Sequence, residues 1–223
     1  MCRGPARGAP SNPFALGPNT LKRTSALFAL CAALTAAAWP AFASDEPFGY
    51  PSTLLQARST YTVSPATPVL LGDTVVVLEQ SRLSDVAAIA GSRVHTDSDG
   101  RRWVCVQSHD QASPLRLWFI ATGQETVTEV QMSPGSFEEP SACGKLTAHF
   151  EPVFLSRIQS GMTIREITGD IGPASAHDEQ GWYFWVSRRG YEYDGTHYTE
   201  YVWVGAHEKD GKVNEVFTTQ LTR

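Results

Sequence analysis

Leu83-Ser84-Asp85-Val86-Ala87-Ala88-Ile89-Ala90-Gly91 and Ile164-Arg165-Glu166-Ile167-Thr168-Gly169-Asp170-Ile171-Gly172 carry apolar residues at matching positions, 81 residues apart, and both stop at glycine. Apolar residues three and four apart, closed by a glycine, predict a short amphipathic helix in each. The second copy places Thr163 three residues before Glu166, a capping box that satisfies free N–H groups at a helix start. At the same spacing the turn Asp99-Gly100 meets Gln180-Gly181, and Trp103-Val104-Cys105-Val106 meets Phe184-Trp185-Val186-Ser187. Slightly further on, Leu117-Trp118-Phe119-Ile120 meets Val202-Trp203-Val204-Gly205, and Val127-Thr128-Glu129-Val130 meets Val213-Asn214-Glu215-Val216. Glycine-bearing turns, Thr122-Gly123 and Lys209-Asp210-Gly211-Lys212, divide the strands as hairpins require. Agreement at four elements in order predicts an α+β fold of two tandem units, each of short helices packed on a three- to four-stranded antiparallel sheet.

The units take residues 69–133 and 151–223. Between them, 134–150 begins in the turn-rich Ser133-Pro134-Gly135-Ser136-Phe137-Glu138-Glu139-Pro140 and reads as a linker. Residues 44–68 are rich in Ser, Thr and Pro and read as an extended lead-in. Val75-Val76-Val77-Leu78 fits either a strand or the approach to the first helix.

The first 43 residues are a different kind of sequence. Lys22-Arg23, an apolar run from Thr24 to Ala38 and the small-x-small triplet Ala41-Phe42-Ala43 follow the order of an export signal, with cleavage between Ala43 and Ser44. The apolar run is too short for an anchor, and nothing after residue 43 is long and apolar enough to span a bilayer. Phe28-Ala29-Leu30 before Cys31 lacks the small residue that lipidation requires, so a soluble periplasmic protein is expected. Without Arg3, Arg7, Lys22 and Arg23, the net charge of −5 becomes −9, from 14 basic and 23 acidic groups. That balance excludes a nucleic-acid binder, which needs a basic stripe. Of the four Cys, Cys105 and Cys143 remain, and an even pair in an exported protein predicts one disulfide, the alternative being two buried thiols.

Ile158-Gln159-Ser160-Gly161-Met162-Thr163, the helix ending in Gly172-Pro173, and Gly181-Trp182-Tyr183-Phe184 together resemble the SmpA/OmlA (BamE) domain over residues 153–219. The first unit has Ser81-Arg82-Leu83 where Gly-Met-Thr would stand, and matches only through the repeat. The resemblance implies two helices on a three-stranded antiparallel sheet, a fold shared by each half of the β-lactamase inhibitor protein, an exported tandem that presents its sheet to an enzyme.

Chemistry-bearing patterns are sparse. No Gly-x-Ser-x-Gly or phosphate loop occurs, and His95, His109, His149, His177, His197 and His207 are scattered through loop-like sequence. Cys105 and Cys143 lack Cys-x-x-Cys spacing, so no zinc or other metal site is expected. Asp97-Ser98-Asp99-Gly100 lacks the closing Glu of a calcium loop and reads as a turn. No cofactor and no catalytic residue are expected.

The aromatic strands point instead to binding. Side chains alternate along a strand, and a sheet covered on one face needs only one apolar face. With Leu115, Leu117 and Phe119 as core, the repeat register predicts an exposed face of Arg102, Arg116, Trp118, Tyr183, Trp185, Tyr201 and Trp203. The other arrangement packs this face internally, between the units. Arg188-Arg189-Gly190, followed by Tyr191-Glu192-Tyr193-Asp194-Gly195, reads as a hairpin loop that adds Arg188, Arg189 and Tyr191 to the contact surface. Aromatics and Arg dominate interface hot spots, so the expected protein is a non-enzymatic inhibitor or immunity-type module that masks another protein. A basic exported enzyme or toxin suits the net charge of −9. The resemblance supplies the second expectation, an envelope-assembly factor of the BamE type.

Overall fold

In the computed structural model, which describes residues 45–108, 114–135, 143–146 and 154–223, strands dominate. A small hairpin pairs β1 (Val69–Leu71) with β2 (Thr74–Val76). After α1 (Leu83–Ala90) come β3 (His95–Thr96), β4 (Arg102–Ser108), β5 (Leu115–Ala121), β6 (Glu129–Pro134) and β7 (Gly144–Leu146). After α2 (Ile164–Ile171) come β8 (Ala176–His177), β9 (Trp182–Tyr193), β10 (Thr196–Lys209) and β11 (Lys212–Thr222).

The expectation of two tandem α+β units with a small sheet each is overturned. The main sheet is continuous and nine-stranded, in the order β3-β4-β5-β6-β11-β10-β9-β8 with β7 alongside β4, and the described residues hold two α-helices of eight residues each. The physical reason lies at the seam. Val216 pairs with Met132 and Thr218 with Val130, so β6 and β11 join the sheet's two stretches. As edges of separate sheets they would each leave a row of unpaired N–H and C=O groups, and pairing removes both. Within the expected linker, Gly144–Leu146 is β7, parallel to β4 at Val106, Gln107 and Ser108. Cys143, just before it, sits at disulfide distance from Cys105, with Cα–Cα 4.5 Å.

Local signals hold at the helices and turns. Thr163 accepts from the Glu166 backbone N–H at 3.2 Å while the Glu166 carboxylate accepts from Thr163 N–H at 2.7 Å, which closes the capping box. Gly91 ends α1 in the left-handed region at φ 58°, where a side chain would be strained. Asp210-Gly211 and Asp194-Gly195 both have two successive positive φ values, the tight-hairpin geometry whose twist matches the flanking strands.

Every residue of β5 is buried, which a sheet covered on one face cannot do. On the first face, α1, Ile167 of α2 and the β1–β2 hairpin pack on Val104, Val106, Leu117, Phe119, Trp185 and Val204. The second face is crossed by the expected lead-in, residues 45–62, which lies on it as a strap. Trp118 Nε1 donates to Asp45 O at 2.8 Å, and Gln131 exchanges two hydrogen bonds with the Phe48 backbone at 2.9 and 3.0 Å. The Tyr50 ring stacks on Phe217 at 3.8 Å, and Trp203 Nε1 donates to Leu55 O at 2.9 Å. Tyr61 then bridges to Ser187 in parallel, turns over the β9 edge and donates from its hydroxyl to Pro173 O at 2.6 Å. Gly205 has extended backbone yet must be glycine, because a Cβ there would stand 2.1 Å from the Phe217 ring.

Beneath the strap lies one buried carboxylate. Glu129 accepts from the Tyr50 hydroxyl at 2.9 Å and from Gln131 Nε2 at 2.6 Å. Burial raises its pKa above the ordinary carboxylate value, outweighing those two hydrogen bonds and Arg101, which act the other way. Because the folded pKa exceeds the unfolded one, ionised Glu129 opposes folding; stability should rise as pH falls through the folded value and level off below the ordinary Glu value of about 4.3. Denaturant titrations across that window should show the slope in the native protein and lose it in Glu129→Gln. An equal slope in both would place the titration elsewhere.

Candidate functional site

The antiparallel register decides where the predicted surface residues go. Val204 pairs with Trp185 and Trp203 with Val186, so Trp185 shares a face with Val204 rather than with Trp203. The expected single exposed face is therefore divided. Arg102, Tyr183 and Trp185 belong to the helix-covered side, and Arg116, Trp118, Tyr201 and Trp203 to the strap side.

Burial separates them further. Trp185 is 0% exposed and its indole N–H donates to Gly172 O at 2.8 Å. Trp118 is 2% exposed beneath the strap, and Arg116, also 2%, pairs with Asp45 at 3.3 Å. These three are structural in this fold: the helix-side core encloses Trp185, and the strap covers Trp118 and Arg116, a cover that strand alternation alone does not reveal. Trp103, Trp118, Trp182 and Trp185 are buried, whereas Trp203 is only half-buried. In a protein truncated to begin at Ser44, Trp203→Phe should thus remove most of the acrylamide-quenchable emission; if Trp118→Phe did so instead, the strap would not cover that face.

Five predicted residues do come together. Beyond Gly190 and Thr199, β9 and β10 run on as a two-stranded arm, because β11 pairs with β10 only from Glu200 onward and Arg223 closes on Thr199. The arm turns at Asp194-Gly195. On one side Tyr191 stacks against Tyr198 at 5.6 Å, with the Arg189 guanidinium 5.7 Å from the Tyr191 ring and 3.1 Å from Glu200. Tyr191 and Tyr193 are 39% and 71% exposed, an outlay of aromatic area that a lone structural hairpin does not need.

The other side of the arm faces the strap. Arg188 lies 5.6 Å from the Tyr201 ring, and Tyr201 stacks on Trp203 at 5.6 Å with planes 13° apart. Between this ladder and strap residues Leu55 to Thr62 opens a cleft of about 660 Å³, bordered also by Arg58 and Arg223. Sequence reasoning missed Tyr193 and Tyr198, although Tyr191-Glu192-Tyr193 has the two-residue period of one strand face. Arg58 left no local signal at all, since only the strap's path brings it to the cleft.

The remaining polar groups of interest have structural work. His207 lies between Glu215 Oε2 and Gln180 O, each at 3.1 Å, and stacks on Trp182. His177 stacks on Tyr183, His95 on Trp103, and His197 pairs with Glu192 at 3.8 Å. Asp97 accepts from Arg101 Nε at 2.7 Å and from the Asp99 and Arg101 N–H groups, which closes the expected turn; the Arg101 side chain is the main reason its carboxyl is held below the usual range. Among the described residues no three His, Cys, Asp or Glu side chains gather as metal ligands would, and no helix is long and apolar enough to cross a membrane. Ala43, Ser44, His109, Glu138, Glu139 and His149 lie outside the described residues.

No family model, curated protein or solved structure matches the chain. The comparisons thus identify neither an SmpA/OmlA domain nor an inhibitor-like one.

Proposed function

We propose that this is a non-enzymatic, exported protein-binding module of the periplasm that masks a partner such as a hydrolase or a toxin, with the β9–β10 arm as its docking element. The observation that carries the reading is the arm itself. Two strands without a third rarely stand alone in water unless something else covers them. This arm nevertheless projects Tyr191, with Arg189 beside its ring, together with Tyr193 and Tyr198, from a sheet whose other described aromatics are buried or half-buried. Tyr and Arg give large contact area for little lost side-chain freedom, which is why they concentrate at interface centres.

The test is capture from periplasm and culture supernatant at physiological salt, comparing the native protein with Tyr191→Ser/Tyr193→Ser. Both tyrosines are exposed, so the variant should keep its thermal midpoint and lose the captured protein. Recovery of outer-membrane assembly components alone, equally by both proteins, would favour an envelope-assembly role and end the masking interpretation.

A further inference from the structure

The cleft beside the arm has a charge opposite to that of the chain. Arg58, Arg188 and Arg223 border it and no Asp or Glu side chain does, in a protein of net charge −5. Among the described residues none of these three guanidinium groups has a carboxylate partner, and Arg188 is held only over the Tyr201 ring. The walls add the hydroxyls of Ser59, Thr60 and Thr62 and the stacked Tyr201–Trp203 pair. Guanidinium forks suit carboxylates, which they hold through paired charge-assisted hydrogen bonds.

A second observation says what kind of molecule carries that carboxylate. The Arg188 N–H donates to Tyr61 O at 3.3 Å, so the backbone of Arg188 points away from β10 toward the strap. By the two-residue repeat Gly190 and Glu192 point the same way, and among the described residues nothing pairs with them there. The outer edge of β9 is therefore an open strand edge that begins where the cleft ends. An extended polypeptide satisfies such an edge; a sugar or lipid headgroup does not.

We infer that the cleft takes an acidic, extended peptide segment, its backbone added to the β9 edge at Gly190–Glu192 and its carboxylate side chain held between Arg58 and Arg188 against Tyr201. This rests on the masking reading and deepens it by naming the chemistry of the partner's contact segment. It also replaces the basic partner expected from net charge. At physiological ionic strength charges beyond about 8 Å are screened, so contact is governed by the local sign.

Calorimetric titration with extended peptides of alternating Glu-Thr and alternating Lys-Thr sequence tests this, with a heparin-derived tetrasaccharide as a third probe. The acidic peptide should bind and slow hydrogen exchange at the Gly190 and Glu192 amides, and the basic peptide should not bind. Arg58→Gln/Arg188→Gln, at exposed positions that leave the fold intact, should weaken the acidic peptide about thirtyfold, the loss typical of a central interface arginine. Equal binding of both peptides, native affinity in the arginine variant, or tighter binding of the tetrasaccharide would each overturn the assignment. The two readings separate cleanly. A partner lost by the Tyr191/Tyr193 variant yet retained by the arginine variant ends the cleft assignment alone. Arginine-dependent peptide binding without any arm-dependent partner ends the masking role alone.

Discussion

Trp185→Ala should lower the unfolding free energy by about 3–5 kcal/mol, the range for deleting a buried large aromatic side chain. The indole is 0% exposed and lies in the main core across from Val204, so its removal leaves a cavity there. Its N–H also caps the Gly172 carbonyl at 2.8 Å, at the C-terminal end of α2, so truncation orphans an acceptor as well as leaving a cavity. For a chain of this size the thermal midpoint should fall by roughly 10–15 °C. Trp185→Phe restores most of the volume but not the hydrogen bond, and should lie between the two. Circular dichroism melts decide it, and a loss below about 1 kcal/mol would mean the indole faces solvent after all.

Loss of the Cys105–Cys143 link should cost a similar amount. It closes a loop of 38 residues, for which the lost chain entropy of the unfolded state corresponds to about 4 kcal/mol. The native cost falls on one place. Cys143 leads directly into β7, a three-residue strand that among the described residues pairs with the sheet along β4, so the link anchors β7 beside that strand. Guanidinium titration with and without dithiothreitol, repeated on Cys105→Ala/Cys143→Ala, should show the oxidised native protein alone at the higher midpoint. Coincident midpoints would mean that the two thiols are free.

What the sequence revealed was local, and what it concealed was long-range. Both helices and their glycine stops were legible because periodicity and capping are properties of neighbouring residues, as Thr163 and Glu166 show. The turn at Asp194-Gly195 was legible for the same reason, although Arg188 to Tyr193, read as part of its loop, are paired residues of β9. The seam between β6 and β11 was not, because Met132 and Val216 carry no mark that they pair with one another rather than with solvent. The sidedness of Trp185 was lost in a subtler way. Repeat matching set β4 against β9 and β5 against β10, but it does not state which residue of β9 lies across from Trp203, and an error of one residue moves a side chain to the opposite face. The strap was the largest omission, since Ser, Thr and Pro suggested an idle connector where Phe48, Tyr50 and Leu55 were covering a whole sheet face.

That strap sets a rule for how the protein comes into being. Its contacts with the sheet join residues far apart in sequence, from Asp45 with Arg116, 71 positions apart, to Tyr50 with Phe217, 167 apart. A polypeptide made, or threaded through a membrane, from its N-terminus delivers this segment first, yet the surface it fits is complete only when β10 and β11 have arrived. Such non-local pairing is slow to form, and until it forms the aromatics of the strap and of its bed stand open to water and to other chains. Residues 45–62 are therefore among the last to find their place, and the interval before they do is when the chain is most exposed to wrong contacts.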